Sequence, residues 1–183
     1  MPASLEKVRF LIVDDNVHML DIVKTILRGF GAVHVSEAKN PQEAIFRLRH
    51  DAIDILILDY VMGEEDGVAF LRKLRHQPDS PAPFIPVIML TAHSERARVE
   101  AARDAGASEF CAKPVTAAEM LRKVAAVIDH PRPFIRCDDY IGPDRRRHDD
   151  PAYQGPEQRK DRQEGEKPVA EDAATGDATG DHR

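Results

Sequence analysis

Five groups in this 183-residue chain are of types that could act together on a phosphorus centre: Asp14 and Asp15, Asp59, Thr91, and Lys113 ahead of Pro114. A carboxylate attacks phosphorus well only when the repulsion between its charge and the phosphoryl oxygens is neutralised, and a hard divalent cation does this best. Magnesium takes oxygen ligands and retains waters. Asp15 and Asp59 could each supply an oxygen, Asp14 could hold a coordinated water, and the main-chain carbonyl of Val61 could be a further ligand. Lys113 would balance the charge on the opposite side. The Thr91 hydroxyl would donate a hydrogen bond to a phosphoryl oxygen and so report whether the group is present.

Residues this far apart in sequence can meet beyond the carboxyl ends of parallel strands, at a topological switch point of an open α/β sheet. The pattern supplies such strands: apolar runs at 8–13, through Val33 and Val35, at 54–59, at 87–90 and at 108–112. Amphipathic stretches alternate with them at helical spacing. Met19, Val23, Ile26 and Phe30 form the first, which Gly31 ends. Asn40 and Pro41 open the second as cap and first-turn proline, with Ala44, Ile45 and Leu48 facing inward. Asp66 caps a third through Leu71 and Leu74. The fourth, 94–105, is poor in large apolar side chains, since Ala97, Val99, Ala101 and Ala102 supply most of its apolar surface. A last one spans 116–129 through Ala117, Leu121, Val124 and Ile128. Five strands and five helices with short connections predict an α/β fold, a parallel sheet between helical layers.

Charge and composition narrow the class. There are 16 Lys and Arg against 19 Asp and Glu before Pro131, and 10 against 13 from there on, so neither part reads as a general nucleic-acid binder. The N-terminus carries no apolar signal region and no run is long enough to cross a bilayer, which predicts a soluble, cytoplasmic protein without a membrane partner. Cys111 and Cys137 predict reduced thiols rather than a disulfide framework. After Pro131 the chain turns to Pro, Gly, Asp, Arg and Glu, so we expect one folded domain over 1–130 and a disordered tail over 131–183. Within that tail Gly142-Pro143-Asp144-Arg145-Arg146 is echoed by Gly155-Pro156-Glu157-Gln158-Arg159. Phe134-Ile135 and Tyr140-Ile141 are small apolar islands, which we expect to dock on a partner or on the domain itself.

Taken together and in order, Ile12-Val13-Asp14-Asp15-Asn16, Leu58-Asp59-Tyr60-Val61-Met62 with Asp66-Gly67, Leu90-Thr91-Ala92, Ala105-Gly106-Ala107 and Phe110-x-x-Lys113-Pro114 resemble the receiver domain of bacterial two-component response regulators. The resemblance covers residues 8 to about 130. It implies a flavodoxin-like, doubly wound sheet of order 2-1-3-4-5, Mg²⁺ on Asp14 and Asp15, and Asp59 as acceptor of a phosphoryl group from a sensor histidine kinase or histidine phosphotransfer protein. It also implies Thr91 as switch hydroxyl, Lys113 as phosphoryl-contacting lysine, Phe110 as switch aromatic and a cis Lys113-Pro114 bond. Gly63 departs from the proline common after the methionine, which would loosen that loop, and Phe110 lacks the hydroxyl of the frequent tyrosine. Val61 and His93 match positions that tune access of water to the acyl phosphate.

The function expected is a stand-alone response regulator, with no DNA-binding or catalytic domain after it, whose phosphorylated form engages an effector protein through the face running from Thr91 to Phe110. An alternative is a phosphotransfer intermediate or phosphate sink without its own effector. An aspartyl phosphatase of the haloacid-dehalogenase kind is disfavoured, because the second aspartate it needs two residues after the nucleophile is Val61 here. Nucleic-acid binding by Arg145, Arg146 and Arg147 is opposed by the aspartates that flank them.

Overall fold

A computed structural model describes residues 5–63, 65–92, 96–137 and 140–144. Strands β1 (Arg9–Val13), β2 (His34–Ala38), β3 (Ile55–Asp59), β4 (Val87–Thr91) and β5 (Glu109–Ala112) form one parallel sheet ordered β2-β1-β3-β4-β5. This is the order expected of a doubly wound flavodoxin-like sheet. Helices α1 (Val17–Gly29), α2 (Pro41–His50), α3 (Gly67–His76), α4 (Arg96–Asp104) and α5 (Ala117–Asp129) connect and cover the strands.

Because successive strand residues point to opposite faces, the central strands must be apolar at every position to be covered on both sides. Every residue of β3 and β4 is buried. Phe10, Ile12, Ile57, Ile88 and Leu90 pack with Leu20, Val23 and Leu27 of α1 and Met120 and Val124 of α5. Leu11, Val13, Leu56, Leu58, Val87 and Met89 pack on the other face with Ala44, Leu48, Leu71, Leu74 and Ala102. Each large aliphatic side chain so buried contributes about 1.5–3 kcal/mol.

Local chemistry sets the helix ends. Asn16, Asn40, Asp66 and Thr116 accept the main-chain N–H of His18, Glu43, Val68 and Glu119 at 3.0, 2.8, 2.8 and 3.3 Å. The Glu43 carboxylate in turn accepts the Lys39 N–H at 2.9 Å and the Asn40 side-chain amide at 3.0 Å, tying down the start of α2. Gly31, at φ +89°, turns the chain out of α1 in the left-handed region.

The folded chain does not stop at Pro131, where the composition placed the boundary of the domain. Strands β6 (Phe134–Cys137) and β7 (Tyr140–Pro143) form an antiparallel hairpin that belongs to the same compact unit as the sheet. Tyr140 and Ile141 are 7% and 4% exposed. Phe134 meets Phe84 edge to face at 6.0 Å, so both apolar islands dock on the chain's own folded body. A polar average over 53 residues concealed a ten-residue hairpin whose few apolar groups suffice because its backbone lies close against the domain. Both cysteines are free thiols, Cys111 buried in β5 and Cys137 exposed on β6. Arg145 to Arg147, the second Gly-Pro copy and His93 lie outside the described residues. Among the described residues no helix is long and apolar enough to cross a membrane.

Candidate functional site

The carboxyl ends of β1, β3, β4 and β5 carry Asp14, Asp59, Thr91 and Lys113. Asp14 directly follows β1 and its N–H donates to the Ala38 carbonyl at 3.2 Å, which fixes it between β1 and β2. Asp59 is the last residue of β3, paired in register with Leu90, and the Tyr60 N–H donates to the Leu90 carbonyl at 2.8 Å. Thr91 closes β4, and its carbonyl accepts the Lys113 N–H at 2.8 Å. The Lys113-Pro114 bond is cis, as the resemblance implied.

These ends converge. The Lys113 ammonium lies 3.0 Å from Asp14 Oδ2 and 2.9 Å from Asp59 Oδ1. Asp14 is fully buried, Asp59 is 6% exposed and Thr91 4%, whereas Asp15 opens to solvent. Asp14 Oδ1 also accepts the Asn16 N–H at 2.9 Å, so both of its oxygens are engaged. Burial pushes the Asp59 carboxyl above the usual carboxylate value, against the hydrogen bond from Lys113, and the nearby charge of Asp14 pushes it further. Burial also opposes the charge on Lys113, but its contacts with Asp59 and Asp14 outweigh this and hold its pKa above the ordinary lysine value.

One oxygen from each of Asp14, Asp15 and Asp59 lies within 4.8 Å of the others. Three carboxylates facing one ammonium leave an excess of two negative charges when all are ionised. An all-oxygen set with one solvent-facing member suits a hard divalent ion that keeps waters. The donor set therefore fits Mg²⁺.

Two glycines shape the rim. Gly63 has φ +55° in the turn between the two-residue strands Val61–Met62 and Glu65–Asp66, and a Cβ there would lie 3.7 Å from Asp15 Oδ2. Proline cannot adopt that φ, so this residue serves the turn rather than merely loosening the loop. A Cβ on Gly67 would stand 2.0 Å from the Asp59 carbonyl oxygen, so glycine lets α3 start against the end of β3. Val61 is 54% exposed beside the acidic group and offers no side-chain polar atom. Phe110 is half-buried on β5, in register with Met89 and packed on the core facing α3 and α4.

Arg75 was not singled out from the sequence. It is 1% exposed and donates to the carbonyls of Pro83 (2.8 Å), Ile85 (2.7 Å) and Gly106 (3.0 Å), with the Phe134 ring 5.0 Å from its guanidinium carbon. Burial pulls its pKa down to about 10. Its spacing from Val68 and Leu71 on the inward stripe of α3 was the available signal.

A family model described as the response regulator receiver domain matches residues 10–125. The chemotaxis protein CheY-3 of Vibrio cholerae is 32% identical over 130 residues, which cover 70% of this chain and 98% of that protein. CheY of Pseudomonas aeruginosa is 31% identical over 121 residues, covering 66% and 96%. Among solved structures, V. cholerae CheY4 superposes with a TM-score of 0.60 at 26% identity, over 66% of this chain and 98% of its own. The structure of a CheX-CheY-BeF3-Mg complex from Borrelia burgdorferi contains a chain that matches with a TM-score of 0.58 at 28% identity, over 66% and 89%.

Proposed function

Because this chain belongs to the response regulator receiver family, we propose that Asp59 accepts a phosphoryl group from a histidine kinase or histidine phosphotransfer protein, and that the modified domain engages an effector protein. The observation that carries this reading is the convergence of Asp14, Asp15 and Asp59 within 4.8 Å around one bridging lysine at the sheet's carboxyl edge.

Bound Mg²⁺ would neutralise charge on the incoming phosphoryl oxygens. Asp14, Asp15, Asp59 and the Val61 carbonyl are the groups that would hold it. The Asp59 carboxylate oxygen attacks phosphorus, the bond from phosphorus to the donor imidazole nitrogen breaks, and that nitrogen leaves with the electron pair. The product is an acyl phosphate on Asp59 and a free histidine. Lys113, already within hydrogen-bond distance of Asp59, follows the charge onto the phosphoryl oxygens, and the Thr91 hydroxyl donates to one of them. The hydroxyl's inward pull would draw the junction between β4 and α4 with it, linking the chemistry to the surface of α4 and β5, where Phe110 repacks.

We expect the same site to take BeF3 with Mg²⁺, the pair named with the B. burgdorferi chain. The test is incorporation of phosphate from a small acyl phosphate or from a phosphorylated kinase, followed by intact mass. Mg²⁺-dependent labelling of the wild type and none of Asp59→Asn is expected. Equal labelling of Asp59→Asn would refute the assignment.

A further inference from the structure

Besides Phe84 and Arg75, the hairpin touches the turn where α4 hands over to β5, a place the proposed chemistry does not use. Gly106, at φ +95°, ends α4, with its N–H donating to the Arg103 carbonyl at 3.0 Å. A Cβ on Gly106 would lie 2.4 Å from the Ile141 carbonyl oxygen, and a Cβ on Gly142 would lie 2.7 Å from the Gly106 Cα. Backbone comes close to backbone here, and the Tyr140 side chain flanks the contact, its hydroxyl 2.5 Å from where a Cβ on Gly142 would lie. The Arg75 guanidinium closes the arrangement by donating to the Gly106 carbonyl while lying against Phe134. Within the hairpin, the Tyr140 hydroxyl donates to the Pro143 carbonyl at 2.8 Å.

The other end of α4 meets the acceptor loop. Arg98 lies over the ring of Tyr60, 5.5 Å from its centroid, and Tyr60 directly follows Asp59. Helix α4 is therefore a nine-residue rod, about 14 Å long, with one end on the acceptor loop and the other on the hairpin. Its middle is lightly held. Among the described residues of the helix the buried one is Ala102, with Ala105 just beyond its end. A buried methyl holds a helix far less firmly than the whole isobutyl side chains of Leu71 and Leu74 hold α3. A helix anchored mainly at its ends can occupy two positions.

We propose that the hairpin of β6 and β7 is a latch on α4 that holds the unphosphorylated arrangement, so that occupancy of Asp59 and docking of the hairpin oppose each other. The inference rests on the reading of Asp59 as phosphoryl acceptor. Its sign follows from the docked hairpin coexisting with a Lys113 ammonium held on Asp14 and Asp59, a pairing that a phosphoryl group on Asp59 would compete for. Modification draws Thr91 and Lys113 toward the new oxygens, α4 follows, and the close seat of Gly142 on Gly106 is lost. Coupling between two sites is reciprocal, so undocking the hairpin must favour the loaded acceptor by the same factor.

The test uses the full chain with Mg²⁺ and fluoroberyllate. Hydrogen exchange of the amides in 134–143 is measured in the wild type with and without the probe, and fluoroberyllate affinity is measured in the wild type, Gly142→Ala and Tyr140→Phe. Loading is expected to speed hairpin exchange about 5-fold or more, and both variants are expected to bind fluoroberyllate about 5-fold or more tightly, the range of ordinary allosteric coupling. If the wild type binds the probe and Asp59→Asn does not, yet hairpin exchange and variant affinities stay unchanged, the latch is overturned while the acceptor reading stands. Absence of any Mg²⁺-dependent binding by the wild type would overturn both.

Discussion

At Asp59 burial and charge pull against each other, and the outcome sets a pH window. Its pKa is raised above 3.8 by burial first, so the carboxylate that must attack is lost on acidification earlier than an ordinary one. The sign for stability follows: the folded state binds this proton more tightly than the unfolded chain, so the contribution is greatest in acid and falls as pH rises through the raised value. Asp59→Asn removes that charge, and at neutral pH it is expected to melt at or above the wild type despite losing the acceptor, which thermal unfolding at two pH values would check. Lys113→Met should do the reverse. It leaves buried Asp14 and Asp59 without their cation, at or below the ~3–5 kcal/mol typical of a broken buried pair, because Lys113 is 18% exposed and Asp59 can take up a proton. Val61→Asn adds a group able to orient water beside the acceptor, so faster loss of label from the phosphorylated variant than from wild type is the expected decay measurement. The acidic group and Lys113 were legible because each sits one step past an apolar run. Arg75 was not, because an arginine reads as surface until its place on the α3 stripe is weighed above its charge.

The elements were read from period and punctuation, and the caps at Asn40, Asp66 and Thr116 fell where those residue types belong. Two loops obey geometry rather than composition. Gly63 was read as a loosened version of a common proline, but its positive φ is one that proline cannot reach, so Gly63→Pro is expected to lower stability by more than ~1 kcal/mol in denaturant unfolding. Gly67→Ala drives a methyl onto the Asp59 carbonyl, and the strand end or α3 must give way. A loss of about 1–3 kcal/mol is expected, together with slower phosphorylation, since the acceptor moves with its own backbone. The hairpin was the element missed: its order rests on the close contact of Gly106 with Gly142 and on Phe134 meeting Phe84 and Arg75, long-range facts that no local window contains.

For the molecule as a whole, the acidic pocket is built from the ends of strands that share one sheet, so ion binding should register in global stability. Free Mg²⁺ at a hundred times its dissociation constant is expected to stabilise the fold by about 2.7 kcal/mol, an effect that Asp15→Asn should largely remove while leaving the apo fold intact, since Asp15 is exposed. Melting curves with and without Mg²⁺ on the two proteins decide this. The placement of the two thiols has a further, practical consequence. Cys111 is fully enclosed and burial pushes its thiol up to about 11, which makes it a poor nucleophile at neutral pH, while Cys137 stands open on the outer strand of the hairpin. A maleimide dye added to the unaltered chain should therefore attach at one defined point, and the movements of the hairpin can be watched by fluorescence without engineering a cysteine.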